Sequence, residues 1–244
     1  TGDLLSDYAS ISETIATSKL ASLNSVFERA TLPYFFVKGF EKLYRKPRSL
    51  CWPWLAIIYS VYSTLPILSD AEGTPGTTNF VLPVYYGSKQ IYTLWGIDGS
   101  LGLRNTWGKM SQAEISWLNH TMHEYSKSFS LKGIAFKHVP PVEFTYLSKI
   151  RSSEVISKRQ LCAQWMKELL VDRTTFGIIE GVFVGHDHMN SYSGWYEGVY
   201  LAYGAKTGCS GYASGNRQIG KVITLTLNGD DRVEFTDKFV DENG

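Results

Sequence analysis

Phe176 to Val184, FGIIEGVFV, is apolar apart from Glu180 and runs straight into Gly185-His186-Asp187-His188. So short a run, rich in Ile, Val and Phe and ended by glycine, reads as a buried strand. The chain must therefore supply a sheet and something to cover it. Two histidines at i and i+2, on the turn leaving that strand, can aim both imidazoles into one cleft. Imidazole is a common ligand for zinc, iron and manganese, so the turn is a candidate metal-binding element. The competing reading is an ordinary core turn.

The rest of the chain supplies both layers. Residues 8–30 carry Ile11, Ile15, Leu20, Leu23, Val26 and Phe27 at helical spacing. Leu32 to Val37 reads as a buried strand, and the basic residues after it (Lys38, Lys42, Arg45, Lys46, Arg48) as a solvated face. Asp70 to Thr78 is a loop by composition. Phe80 to Tyr86 and Gln90 to Ile97 form an expected hairpin around Gly87-Ser88. Ser111 to Tyr125 is an expected helix, with Ser111 and Glu114 as a capping box and Trp117 and Leu118 facing inward. Gly133 to Lys137 is a short strand, stopped by His138 and Pro140-Pro141. Ser157 to Leu170 reads as a helix and Trp195 to Tyr203 as a β-rich stretch. Val222 to Leu227 and Val233 to Phe239 read as strands. Helices alternating with short apolar strands, then a β-rich tail, fit an α/β (α+β) architecture with helices packed on sheet. At 244 residues, without repeats or low-complexity linkers, one domain over 1–244 is the expectation.

Composition narrows the function classes. Lys+Arg is 24 against Asp+Glu 23, which leaves no sequence-wide basic surface for nucleic acid. Cys51, Cys162 and Cys209 share no CxxC spacing, which argues against a disulfide framework or a thiolate zinc site. Ser49 to Ser69 is uncharged, but Pro53, Pro66 and scattered serines weigh against a membrane span, and a buried or partner-covered helix is expected there. The sequon Asn119-His120-Thr121 falls in an expected helix and says little about secretion. The chain starts at Thr1 without a visible signal peptide, which fits a processed N-terminus and leaves organellar and secretory compartments open. His120 and His123 read as surface residues. Gly208 to Gly220 is glycine-rich but lacks the Lys-Ser/Thr of a phosphate loop, so it reads as a substrate or partner loop. Cys209 within it has no neighbouring His or cation to activate it.

A second strand strengthens the metal reading. Gly133 to Lys137 also ends in a histidine, His138, and Thr1-Gly2-Asp3 adds a carboxylate able to bridge two cations. The order Gly-Asp, then strand-His-x-Pro-Pro, then Gly-His-x-His resembles the calcineurin-like metallophosphoesterases, nearest the small purple-acid-phosphatase-like branch. Thr78 to Val84, Gln112 to Leu118, and Tyr203 to Gly208 followed by Gly211-Tyr212 resemble segments of that branch too. The likeness covers nearly the whole chain. GHDH with YGAKTG is its specific part; Gly-Asp alone is not. The resemblance implies a β-sandwich flanked by helices, holding two metal ions whose bound hydroxide attacks phosphorus. It implies Asp3 as a bridging carboxylate, His138 and His186 as ligands of one metal, and His188 as a ligand of the other.

The chain departs from that pattern twice. The family's first motif, a D-x-H ending its first strand, lies upstream of Gly-Asp and so ahead of Thr1. A companion polypeptide or larger assembly is the expected source of that strand, and the isolated chain is expected to fold poorly. The third motif, G-N-H-D/E in the family, is Gly39-Phe40-Glu41-Lys42 here. Phe40 cannot ligate a cation. Glu41 cannot protonate a leaving group as imidazolium does, so no catalytic residue is assigned. Lys42 beside a cation site is unfavourable unless it faces solvent. One divalent or trivalent ion (Zn, Mn or Fe), or none, is expected. The leading reading is a degenerate family member serving as a structural or interaction subunit. The alternative is an active phosphomonoesterase or phosphodiesterase, acting on a phosphorylated substrate once completed by another segment.

Overall fold

The structure is a computed structural model. It describes residues 68–69, 79–97, 112–129, 131–147, 177–208, 218–241 and 243, and isolated positions between 18 and 30. The expected strand at 32–37, loop at 70–78 and helix at 157–170 lie outside the described residues, as do Ser111 and all three cysteines.

The elements are β1 (Leu68–Ser69), β2 (Phe80–Tyr86), β3 (Lys89–Ile97), α1 (Gln112–Phe129), β4 (Gly133–Lys137), α2 (Phe144–Leu147), β5 (Ile179–Val184), β6 (Ser193–Tyr196), β7 (Val199–Tyr203), β8 (Ile219–Leu227) and β9 (Val233–Asp241). Strands β1 to β7 form one seven-stranded sheet in the order β1-β2-β3-β4-β5-β7-β6, and β8 and β9 pair as a separate hairpin. The neighbours β3, β4, β5 and β7 run parallel, while β1, β2 and β6 join antiparallel at the two edges. The mixed α/β architecture is the one expected from sequence.

The apolar runs follow from burial on both sides of the parallel strands. Trp95, Ile97, Ala135, Val182, Val184 and Leu201 belong to one core with Leu118 and Met122 of α1 and Phe144 and Leu147 of α2. Tyr92, Ile134, Phe183 and Ala202 form a second core, closed by Ile223, Leu225, Val233 and Phe235 of the terminal hairpin. Phe235 meets Phe183 and Tyr200 edge-on or tilted, at centroid distances of 6.0 and 5.6 Å. The sheet is thus covered by helices on one face and by a hairpin on the other.

Several expectations are refined. The described positions within 18–30 are helical, and Val26 among them is half exposed. The uncharged 49–69 run ends in the strand β1, not in a helix. Among the described residues no helix is long and apolar enough to cross a membrane. The helix α1 continues past Tyr125 to Phe129, and its Glu114 is buried, accepting a hydrogen bond from Asn79 Nδ2 at 3.3 Å. The β-rich stretch at 195–203 is a hairpin, β6 turning into β7 at Glu197-Gly198, both with positive φ. His120 and His123 are exposed on α1, as expected.

β5 carries one residue more than β4 opposite it. The register steps from Gly133↔Ile179 to Ile134↔Gly181, leaving Glu180 in a bulge. Tyr92 donates its hydroxyl proton to Glu180 Oε1 at 2.6 Å. Burial holds the Glu180 carboxyl above its ordinary value, opposed by the Tyr92 hydrogen bond and the Lys132 charge, while Glu234 adds to the rise. A carboxyl raised in the folded state favours folding when protonated. Its contribution is full below the ordinary value of 4.5 and is lost as pH rises through the raised one. Glu180→Gln keeps an acceptor for Tyr92 and removes the ionisation. Relative to the parent, this variant is expected to gain more melting temperature at pH 7 than at pH 4. A pH-independent difference between the two proteins would rule the carboxyl out as the source.

Candidate functional site

The parallel strands place their carboxyl ends together, and the histidines leave from two neighbouring ones. His138 follows β4 directly, and Gly185-His186-Asp187-His188 follows β5. Ligands of open α/β sheets gather beyond such ends. Hydrogen bonds from the turn's flanks fix its position. Gly185 N–H donates to the His138 carbonyl at 3.0 Å, and Gly204 N–H, just past β7, donates to the Val184 carbonyl at 2.7 Å.

These links bring His138 and His186 together. Nδ1 of His186 lies 3.2 Å from Nε2 of His138, and the rings meet edge to face with centroids 5.1 Å apart. At that distance one imidazole donates and the other accepts. His138 is 1% exposed and His186 half-buried, so the pair opens to solvent on the His186 side.

His186 takes φ 72°, left-handed backbone that costs a non-glycine residue about 1 kcal/mol or somewhat more. Asp187 N–H closes back onto the Gly185 carbonyl at 2.9 Å, making a three-residue turn around His186. Without the turn, a β-conformation at His186 would carry its ring off along the strand direction.

Asp187 accepts the Tyr203 hydroxyl proton at Oδ2, 2.7 Å away. Burial raises the Asp187 carboxyl above its usual range, opposed by its hydrogen bond from Tyr203, by the nearby Asn190 carboxamide and by the charges of His138 and His188. Burial, with the Asp187 charge second, pushes the Tyr203 phenol upward as well, so Tyr203 stays protonated and donates. The Asn190 carboxamide is close enough to ease both ionisations, yet neither of its buried polar atoms reaches good hydrogen-bond geometry. Tyr203 is wedged edge-on between Phe144 and Tyr192, with centroids 5.0 and 4.9 Å away. Tyr192 donates its hydroxyl to the Phe144 carbonyl at 3.1 Å, tying the loop to α2.

Of the four expected metal ligands, the structure joins two. His188 lies on the same turn, near enough for its charge to act on Asp187. Asp3, Phe40, Glu41 and Lys42 lie outside the described residues. Among the described residues no cluster of three or more His, Cys, Asp and Glu side chains is set to hold a metal ion. The imidazole pair nevertheless fits one ion. Two nitrogens each about 2.05 Å from a tetrahedral ion sit about 3.3 Å apart, close to the spacing here. Asp187, Asn190, Tyr192 and Tyr203 were not assigned from sequence, although Asp187 lies inside the GHDH motif and Tyr203 opens the YGAKTG segment.

No protein-family model matches the chain. It is similar to three curated proteins of Arabidopsis thaliana. It is 27% identical over 153 residues to "Probable inactive purple acid phosphatase 14", a match covering 54% of this chain and 36% of that protein. It is 28% identical over 133 residues to "Probable inactive purple acid phosphatase 29", covering 50% and 34%. It is 25% identical over 116 residues to "Probable inactive purple acid phosphatase 28", covering 46% and 29%. The chain spans about a third of the length of these curated relatives. The relationship is at family level, phosphatase-like and distant.

Proposed function

We propose that this chain is a degenerate metallophosphoesterase-family module, kept as a structural or interaction subunit and retaining a remnant of one metal site. The observation that carries the reading is the His138–His186 pair, 3.2 Å apart at the ends of adjacent parallel strands. In the sequence, Phe40 and Glu41 stand where the family's ligand and acid are expected, so the retained histidines lack the partners that turnover requires. The curated relatives are themselves named inactive. An interaction role draws support from the edge of the sheet. Trp195 on the edge strand β6 is 61% exposed, and Tyr146 stacks on Tyr196 of that strand at 5.2 Å.

The residues that would hold an ion are His138 and His186, with Asp3 and His188 as the remaining candidates. A bound ion would polarise a phosphoryl oxygen, the chemistry expected of such a site. The chain's own part is to converge two imidazoles, shielding His138 from water and leaving His186 accessible.

Elemental analysis of the natively purified protein, with hydrolysis of p-nitrophenyl phosphate and its bis ester, tests the reading. At most one transition-metal ion per chain and no turnover are expected. Two ions per chain with metal-dependent hydrolysis would replace this reading by the active phosphoesterase.

A further inference from the structure

We infer that Tyr203 of β7 is a positioning residue for the His138–His186 pair and acts through Asp187. The inference rests on reading that pair as the metal-holding remnant, but it assigns a role to residues outside the expected ligand set.

The turn is held from both sides. On the β4 side, the His138 carbonyl accepts Gly185 N–H. On the β7 side, the Tyr203 hydroxyl grips the Asp187 carboxylate at 2.7 Å. Asp187 is the residue whose N–H closes the turn around the left-handed His186, and its carbonyl accepts Asn190 N–H at 3.0 Å. The backbone N–H, the backbone carbonyl and the carboxylate of Asp187 are thus all committed. A residue held at three points cannot rotate without reopening the turn, and His186 then relaxes toward extended backbone.

Tyr203 is a firm anchor because it cannot itself move. It is fully buried, packed between Phe144 and Tyr192, and its N–H donates to the Tyr192 carbonyl at 3.0 Å. The path runs from the aromatic cluster under α2 to the Tyr203 hydroxyl, the Asp187 carboxylate, the turn and the His186 ring. Partners that orient a ligand without touching the metal typically change its affinity by about 10- to 100-fold.

The test is a double-mutant cycle on the full chain, read by Co²⁺ affinity and by ¹H–¹⁵N spectra of the imidazoles without metal. Tyr203→Phe keeps the packed ring and loses only the hydroxyl; Asp187→Ala loses the acceptor. Each is expected to weaken Co²⁺ binding about 10- to 100-fold, and the double variant no more than either single one. Asp187→Asn, which keeps an acceptor oxygen, is expected to retain most of the affinity. A Tyr203→Phe protein that binds Co²⁺ like the parent, or losses that add in the double variant, would overturn the inference. Should Tyr203→Phe not fold, the Asp187→Ala and Asp187→Asn pair decides: equal affinity in the two overturns it. If the parent binds no Co²⁺, the metal reading fails by itself, and the imidazole spectra then judge the positioning role. Displaced His138 and His186 resonances in Tyr203→Phe or Asp187→Ala support it; unchanged ones overturn it.

Discussion

Replacing His186 by alanine is expected to abolish metal retention. Parent protein incubated with Zn²⁺ and desalted is expected to hold up to one ion per chain, and His186→Ala none, with affinity falling by more than the roughly 100-fold limit typical of residues that only orient a ligand. His138→Ala is expected to do the same, because the two ring nitrogens lie 3.2 Å apart and would hold the same ion. The folds of the two variants should differ. His186 lies half-buried on a strained turn, so its loss relieves left-handed backbone only if the turn relaxes, and the melting temperature moves little. His138 is buried, so its loss leaves a void and lowers the melting temperature. Competition with a chromogenic chelator measures retention. Equal Zn²⁺ retention by parent and His186→Ala would remove the remnant site from consideration.

The largest stability effect is expected at Gly133, on the central strand β4. A Cβ built there would lie 2.1 Å from Thr93 Oγ1, 2.5 Å from the Thr93 carbonyl and 3.0 Å from Trp95 Nε1. None of these atoms is the tip of a flexible chain. The Thr93 hydroxyl donates to the Lys132 carbonyl at 3.1 Å and accepts from Trp95 Nε1 at 2.9 Å, and Trp95 is fully buried. Making room means pushing β3 away from β4 or breaking the Trp95 hydrogen bond in the core. Gly133→Ala is therefore expected to cost about 3 kcal/mol or more, the upper part of the range for overpacked cores. That is a large share of an ordinary domain's net stability of about 5–15 kcal/mol. Urea denaturation reads it as a lower midpoint with an unchanged slope. A midpoint within error of the parent would mean that β3 and β4 are farther apart than described.

Much of the architecture was legible because burial on two faces leaves a strong mark. β2 and β4 occupy the residues read as strands, since continuous apolar runs with clear stops have few alternatives. The hairpin turn was not separated out within WYEGVYLAY, where Glu197-Gly198 is only a two-residue break in an otherwise apolar run. The single-turn helix α2 was hidden behind Pro140-Pro141, which end a strand but carry no signal for a helix beyond them. Of the site, His138 and His186 were legible through their places at strand ends. Tyr203 and Asp187 were not, because their hydrogen bond depends on β7 pairing with β5 past the intervening β6, and residue spacing does not encode that step. The left-handed His186 was equally hidden, since histidine is enriched at positive φ but still adopts it in only a small minority of cases. The proposed ligand Asp3 and the altered third motif lie outside the described residues, so they rest on the sequence alone.

The terminal hairpin also imposes a timetable on biosynthesis. Tyr92, Ile134, Phe183 and Ala202 all leave the ribosome before Ile223, Leu225, Val233 and Phe235, the side chains that cover them. For an interval on the order of seconds at ordinary elongation rates, these core residues of a nascent chain lack the cover that the hairpin gives them. Late closure of this face is the expected consequence, because the covering strands are made after the strands they cover. A ribosome that stalls ahead of Ile219 is expected to leave that face of the sheet without the hairpin that covers it.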